Sequence, residues 1–205
     1  RFWLVNAHSK ELNMRTVVIG SGSWGTALAQ VLQDNHQEVL VYGVAEAEVN
    51  DINENHKNSK YFGDVELNPE LKATTDIQCV KGADIVLLAV PTIAIDPICH
   101  QINDILDKKT IIINVSKGFH PETNERMSEV IRRCIDEDKL SSVVSLIGPS
   151  HAEEVVIRLL TTIDAISLNN EDAVTVQNLF SNQYLRIYTG NDEIGSELGV
   201  AIKNV

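Results

Sequence analysis

Hydrophobic and polar positions along this chain follow two alternating rhythms. Val17–Ile19 is a short β-branched run that reads as a strand, and Thr26 to Leu32 continues as a helix-forming segment. Glu38–Tyr42 reads as a second strand, and Glu46–Asn55 as a helix that is polar on most faces. Asp84–Val90 is a continuous apolar run, as a parallel strand covered on both faces requires, and Pro91 ends it. Ile95–Leu106 has amphipathic helical spacing, with Pro97 as a candidate start, and Thr110–Val115 is another buried strand. Met127, Val130, Ile131, Cys134 and Ile135 recur at helical intervals. Glu122 and Glu125 fall in the expected first turn of that helix and Arg132 and Arg133 near its end, the arrangement a helix dipole favours. Val143–Ile147 is a further strand. This strand–helix alternation predicts an α/β fold with a doubly wound, mostly parallel sheet. After Gly148 the rhythm changes: Thr161–Leu168 and Gln183–Tyr188 predict two additional C-terminal strands around a helix near Asp172–Phe180. Glu197–Val205 then begins something helical.

Between the first strand and the first helix the chain reads Gly20-Ser-Gly-Ser-Trp-Gly25. This G-x-G-x-x-G turn has the flanks a pyrophosphate cradle needs, and it points to a Rossmann-like dinucleotide site. Gly20 permits the turn, Gly22 lets the backbone approach phosphate, and Gly25 lets helix and strand pack closely. The helix N-terminus offers free N–H groups and the positive end of a dipole to an anion. The competing reading is a structural glycine turn with no ligand. A P-loop is excluded because no Gly-Lys-Ser or Gly-Lys-Thr follows.

Composition narrows the picture. The 205 residues carry a net charge of −12, which argues against broad attraction to nucleic acid or an anionic membrane. An acidic chain that takes an anionic cofactor must use local devices. Cys79, Cys99 and Cys134 are widely spaced, with no C-x-x-C and no His pair at ligand spacing, so neither a disulfide framework nor a metal site is expected. No apolar run approaches the about 18 residues of a membrane-spanning helix. Residues 1–13 read as an extension or a cloning remnant, 14–194 as one dinucleotide-binding domain, and 195–205 as the start of a truncated helical domain.

Further motifs follow in order: Tyr61-Phe62-Gly63 within Asn58–Leu67, Ala89-Val-Pro91, Ser116-Lys-Gly118, Gly148-Pro-Ser-His-Ala152 with Glu154-Val155, Tyr188 and Asp192, and Gly195-Ser-Glu-Leu-Gly-Val-Ala-Ile-Lys-Asn-Val205. With the glycine turn, whose Trp24 and Thr26 are specific marks, this set resembles the bacterial NAD(P)-dependent glycerol-3-phosphate dehydrogenases. The resemblance runs from about Arg15 to Val205. It implies reversible reduction of dihydroxyacetone phosphate to glycerol 3-phosphate with NAD or NADP, in a cytoplasmic enzyme that feeds phospholipid synthesis. It leaves a homodimer open for a full-length chain. Roles carry over only to matching positions. Ser23 and Trp24 lie where the turn contacts the dinucleotide, and Ala152 where the chain borders the nicotinamide side. Lys117 falls at a lysine that reaches both cofactor and substrate oxygen. Gly148 and Ser150 border the substrate, Lys203 matches the catalytic lysine, and Asn204 a substrate-phosphate contact. One departure is Val44, where many relatives have an arginine that favours NADP; Val44 is neither that nor a ribose-binding acid, so cofactor preference stays undecided.

The chemistry implied is hydride transfer to a ketone carbon, during which the oxygen gains negative charge. Lys203 is the expected general acid, becoming a base in the reverse direction, and Lys117 the polarising partner. Two lysines in one site would depress each other's pKa, and burial acts the same way. Lys117 also has a positional argument, since it follows the carboxyl end of a buried strand. Ser150 could instead cap a helix, Asp192 could serve a turn, and His120 and His151 read as surface or loop residues. Two other readings are a dinucleotide sensor without catalysis, which would not need both lysines, and another two-domain dehydrogenase acting on a hydroxy acid.

Overall fold

A computed structural model describes residues 14–203. The expectation for residues 1–13, and the site expected at Asn204, lie outside those residues. The chain builds β1 (Thr16–Ile19), α1 (Ser23–Asp34), β2 (Val39–Tyr42), α2 (Glu46–Asn50), α3 (Ser59–Phe62), β3 (Lys72–Thr74), β4 (Ile85–Leu88), α4 (Thr92–Asn103) and β5 (Thr110–Asn114). It continues with α5 (Met127–Cys134), β6 (Leu140–Ile147), α6 (Ala152–Val156), β7 (Thr161–Ile166), α7 (Asn170–Phe180), β8 (Leu185–Gly190) and α8 (Glu193–Lys203).

The strands form one eight-stranded sheet in the order β3-β2-β1-β4-β5-β6-β7-β8. β1 pairs in parallel with both β2 and β4, so the strand order reverses around it. Such a reversal opens a crevice at the carboxyl ends of the strands, where ligands bind in doubly wound sheets. β7 runs antiparallel to β6, and β8 parallel to β7, giving the two extra strands expected from the sequence.

The apolar runs are continuous because successive side chains enter two cores. Ile85 and Leu87 of β4 point into one, with α1, α6 and α7; Val86 and Leu88 point into the other, with α4 and α5. All four are completely buried. Each such side chain contributes roughly 1.5–3 kcal/mol relative to exposure.

Several sequence-based boundaries shift for physical reasons. α4 starts at Thr92 and carries Pro97 inside it rather than at its start. The lost hydrogen bond is offset by burial of Ile95, Cys99 and Ile102 on the helix's inner face. The expected helix Glu46–Asn55 divides into α2 and a wider π turn, Asp51–Asn55, closed by His56 at φ 53°. Glu122 and Glu125 precede α5 instead of lying in its first turn; Glu129 holds that position, and Glu125 pairs with Arg133 at 3.1 Å. β3, α3 and α6 were not foreseen, being too short to show a period.

Candidate functional site

The glycine turn is built as the sequence reading requires. Gly20 has φ +115°, and a Cβ there would collide with the Ala89 carbonyl oxygen. A Cβ on Gly25 would run into the Gly20 carbonyl oxygen, so α1 can approach β1 closely only without a side chain there. Gly22 differs: a Cβ on it would meet only the Tyr61 hydroxyl, 4.0 Å away. The space in front of Gly22 is free of packing, as a cradle for phosphate must be. Gly22 also caps α1 without any side-chain hydrogen bond to the helix's first turn. That turn contains Ser23 and Trp24, and its orphan N–H groups suit an anion.

A clamp that the sequence reading missed holds this turn from behind. Asn58 is 1% exposed, and its Nδ2 donates to the Ser21 carbonyl and to Thr26 Oγ1, each at 2.8 Å. The Thr26 hydroxyl in turn donates to the Ser21 carbonyl at 3.2 Å. The Ser21 hydroxyl donates to Glu48 Oε2 at 2.5 Å, while Lys60 donates to Glu48 Oε1 at 2.7 Å. Partial burial would push the Glu48 carboxyl up, but Lys60 and Ser21 outweigh it and hold it below the usual carboxylate range. Thr26 stood out in the sequence as a motif mark; its role here is to fasten the turn to Asn58.

Lys117 sits just beyond β5, in a loop with its own fastenings. Asn114 is buried; its side chain accepts from the Ser116 N–H at 3.1 Å and donates to the Ser116 carbonyl at 3.2 Å. Ser116 Oγ donates to the Val90 carbonyl at 2.5 Å, tying the loop to the end of β4. Gly118 takes φ +116° and turns the chain away. The result carries the Lys117 ammonium to 5.6 Å from the centroid of the Trp24 ring.

Trp24, Lys117, Gly148 and Ser150 therefore meet, lining with Leu28, Val115, Leu146 and Ile163 one narrow pocket of about 10 Å³, room for about one water. Four residues expected from three distant motifs are brought together at the carboxyl ends of β5 and β6. Ser150 is buried there. A Cβ on Gly148 would lie 2.9 Å from Ile163 Cγ2, so the crossing of β7 demands glycine. Ala152 is not among the lining residues; it opens α6 and is buried in the core. His120 is a buried loop residue whose Nδ1 lies 3.3 Å from the Thr123 nitrogen, and Asp192 accepts from the Gly195 N–H at 2.9 Å, a turn role. A broad surface depression along β8 holds none of the expected site residues.

α8 delivers Lys203. Its residues Gly195, Ser196, Gly199 and Val200 face Ile147, Gly148, Pro149 and Asp164 across a cleft adjoining that pocket. Lys203 is the last residue of the helix, and its side chain lies outside the described part. What fixes α8 is charge. Glu193 and Glu197 are 3% and 5% exposed. Arg132 donates to the two Glu193 oxygens at 2.6 and 2.8 Å. Arg126 reaches Glu197 at 2.9 Å, and Ser128 bonds it through both N–H (3.0 Å) and hydroxyl (2.7 Å). Burial alone would raise the Glu193 carboxyl; Arg132, with Ser128 and Arg126, holds it below the ordinary range. The opposite side of α8 shows Ile194, Leu198 and Ile202 to solvent.

An open-fronted glycine turn at a strand-order reversal, with a lysine over its tryptophan, defines a dinucleotide-binding domain of the dehydrogenase type. Residues 15–174 match the model of the NAD-dependent glycerol-3-phosphate dehydrogenase N-terminus. The chain belongs to that family. It is 47% identical over 192 residues to a glycerol-3-phosphate dehydrogenase [NAD(P)+] of Listeria innocua, covering 93% of this chain and 57% of that protein. With the enzyme of the same name from Macrococcus caseolyticus it shares 45% identity over 193 residues, covering 94% and 58%. The chain thus spans somewhat more than half the length of these relatives. The crystal structure of a glycerol-3-phosphate dehydrogenase from Coxiella burnetii superposes with a TM-score of 0.86 at 27% identity, over 94% of this chain and 58% of that one.

Proposed function

We propose that this chain is the cofactor-binding part of an enzyme that reversibly reduces dihydroxyacetone phosphate to glycerol 3-phosphate with NAD(H) or NADP(H). The observation that carries the reading is the convergence of Trp24, Lys117, Gly148 and Ser150 in one pocket beside a glycine turn whose front is clear. The dinucleotide, when bound, supplies or accepts the hydride. Gly20, Gly22 and Gly25 shape its cradle, and the N–H groups of Ser23 and Trp24 meet its phosphates. Lys117 stabilises negative charge on the substrate oxygen. Gly148 and Ser150 border the substrate, and Ala152 forms the backbone edge on the nicotinamide side. Lys203 donates a proton to the substrate oxygen in reduction and removes it in oxidation, and Asn204 contacts the substrate phosphate. We assign residues 14–194 to the dinucleotide domain and 195–205 to the start of the substrate-binding region. The site of action we propose is the cytoplasm, with no nucleic-acid partner.

Calorimetric titration with NADH and NADPH tests the cradle directly. Residues 1–205 bind dinucleotide, and Gly22→Val weakens binding at least about a hundredfold, because its branches fill the cleared space. Unchanged affinity in a folded Gly22→Val chain moves the cofactor elsewhere. Turnover is read from NADH oxidation with dihydroxyacetone phosphate. It is poor for residues 1–205 and restored in a chimaera where the rest of the L. innocua relative follows Val205. In that chimaera Lys203→Ala lowers kcat about 10²–10⁴-fold, the usual range for a general acid. Binding without any turnover in the chimaera would favour a sensing module.

A further inference from the structure

We propose that Asp96, His100 and Cys134 form a binding site for a thiophilic divalent cation of the zinc type, bridging α4 and α5. A carboxylate oxygen of Asp96, a ring nitrogen of His100 and the Sγ of Cys134 all lie within 4.8 Å of one another. Asp96 and His100 stand four residues apart on α4, which places both on one helix face. Cys134 ends α5 and supplies the third donor from across the helix pair. One oxygen, one imidazole nitrogen and one sulfur are the donor set of zinc, whereas magnesium and calcium take oxygen alone.

The surroundings favour a cation at this point. Asp96 Oδ1 already faces the site, 3.3 Å from His100 Nε2. Its Oδ2 is held from behind by Arg133 Nη2 at 2.8 Å, and Arg133 is itself anchored on Glu125 at 3.1 Å. Outer partners of this kind orient a ligating carboxylate. Cys134 is 4% exposed, while the His100 side chain is 60% exposed. The sulfur is therefore shielded, and the histidine side leaves an entry path and a fourth position for water. The charges close as well. A 2+ ion meets one carboxylate and one thiolate, His100 is a neutral ligand, and Arg133 is balanced by Glu125. On binding, a metal–sulfur bond forms, the S–H bond breaks, and its proton goes to solvent; nothing is oxidised or reduced. The site shares no residue with the glycine turn and does not depend on the function proposed above.

The test uses chelator-treated residues 1–205. Zn²⁺ is titrated calorimetrically in two buffers of different ionisation enthalpy, and Co²⁺ is followed by its thiolate charge-transfer absorption. The expected result is one ion per chain, about one proton released per ion, a Co²⁺–thiolate band and a Zn²⁺-dependent rise in Tm. His100→Gln, at an exposed position that leaves the fold intact, weakens Zn²⁺ binding at least about tenfold. Cys134→Ser does the same and abolishes the band, whereas Cys79→Ser changes neither. Absence of saturable one-to-one binding overturns the proposal. So does binding that is equally tight in His100→Gln and Cys134→Ser, or a band that disappears in Cys79→Ser.

Discussion

Removing Arg132 isolates the contribution of charge to the docking of α8. In Arg132→Ala the Glu193 carboxylate, 3% exposed in the parent chain, loses two hydrogen bonds, of 2.6 and 2.8 Å. Stripping one partner from a fully buried ion pair costs about 3–5 kcal/mol. Two features reduce that here. The Arg132 side chain is 34% exposed, so solvent already screens part of the interaction, and Arg126 remains 3.4 Å from Glu193. A cost of about 2 kcal/mol results, which corresponds to an approximately 30-fold rise in the opening of α8. Arg132→Lys falls between, because an ammonium cannot reproduce the two-pronged contact. Hydrogen exchange read by mass spectrometry resolves this: peptides across Glu193–Lys203 exchange faster, and peptides across β4 and β5 do not. Less than about a threefold change in α8, or an equal change in both regions, would refute the reasoning. Acid has the same effect through Glu193. Its carboxyl is depressed in the fold, so its contribution is fully present above the ordinary value of 4.5 and is lost as pH falls through the depressed one.

Two further outcomes follow from the site. Asn58→Ala removes two buried hydrogen bonds from the back of the glycine turn, lowering stability by about 2 kcal/mol; thermal unfolding and NADH fluorescence titration should show a lower Tm together with weaker binding. Val44→Arg places a cation at the exposed end of β2 and favours NADPH over NADH by roughly 1–2 kcal/mol relative to the parent, read from the dissociation constants of both cofactors.

Legibility in the sequence depended on whether the cause was local. The strands were visible because a parallel strand covered on both faces must be apolar at every position, as Ile85–Leu88 is. The glycine turn was visible because its three glycines fall within six residues, although the wall that forbids a side chain on Gly20 is the distant Ala89 carbonyl, and Lys117 because it follows such a strand. Asn58 was hidden: its carbonyl partner on Ser21 is 37 residues away, and one asparagine in a polar loop carries no periodicity. Glu193 and Glu197 read as ordinary solvated acids, since only the tertiary fold sets Arg126, Ser128 and Arg132 against them. The proposed cation site has no signature in local ligand spacing because its donors sit on two helices. Ala152 is a motif position whose side chain packs into the core, which leaves only its backbone for the role proposed above.

The ionic fastening of α8 bears on how the exposed stripe of Ile194, Leu198 and Ile202 would engage a partner surface. A helix held only by grease would find its rotation and register when its second face was covered, and would surrender roughly 1–2 kcal/mol of backbone freedom per residue at that moment. Here the orientation is set beforehand by paired carboxylates and guanidinium groups. The apolar ridge is thus offered as a rigid template, and association with it avoids most of the entropy lost when a mobile segment becomes ordered.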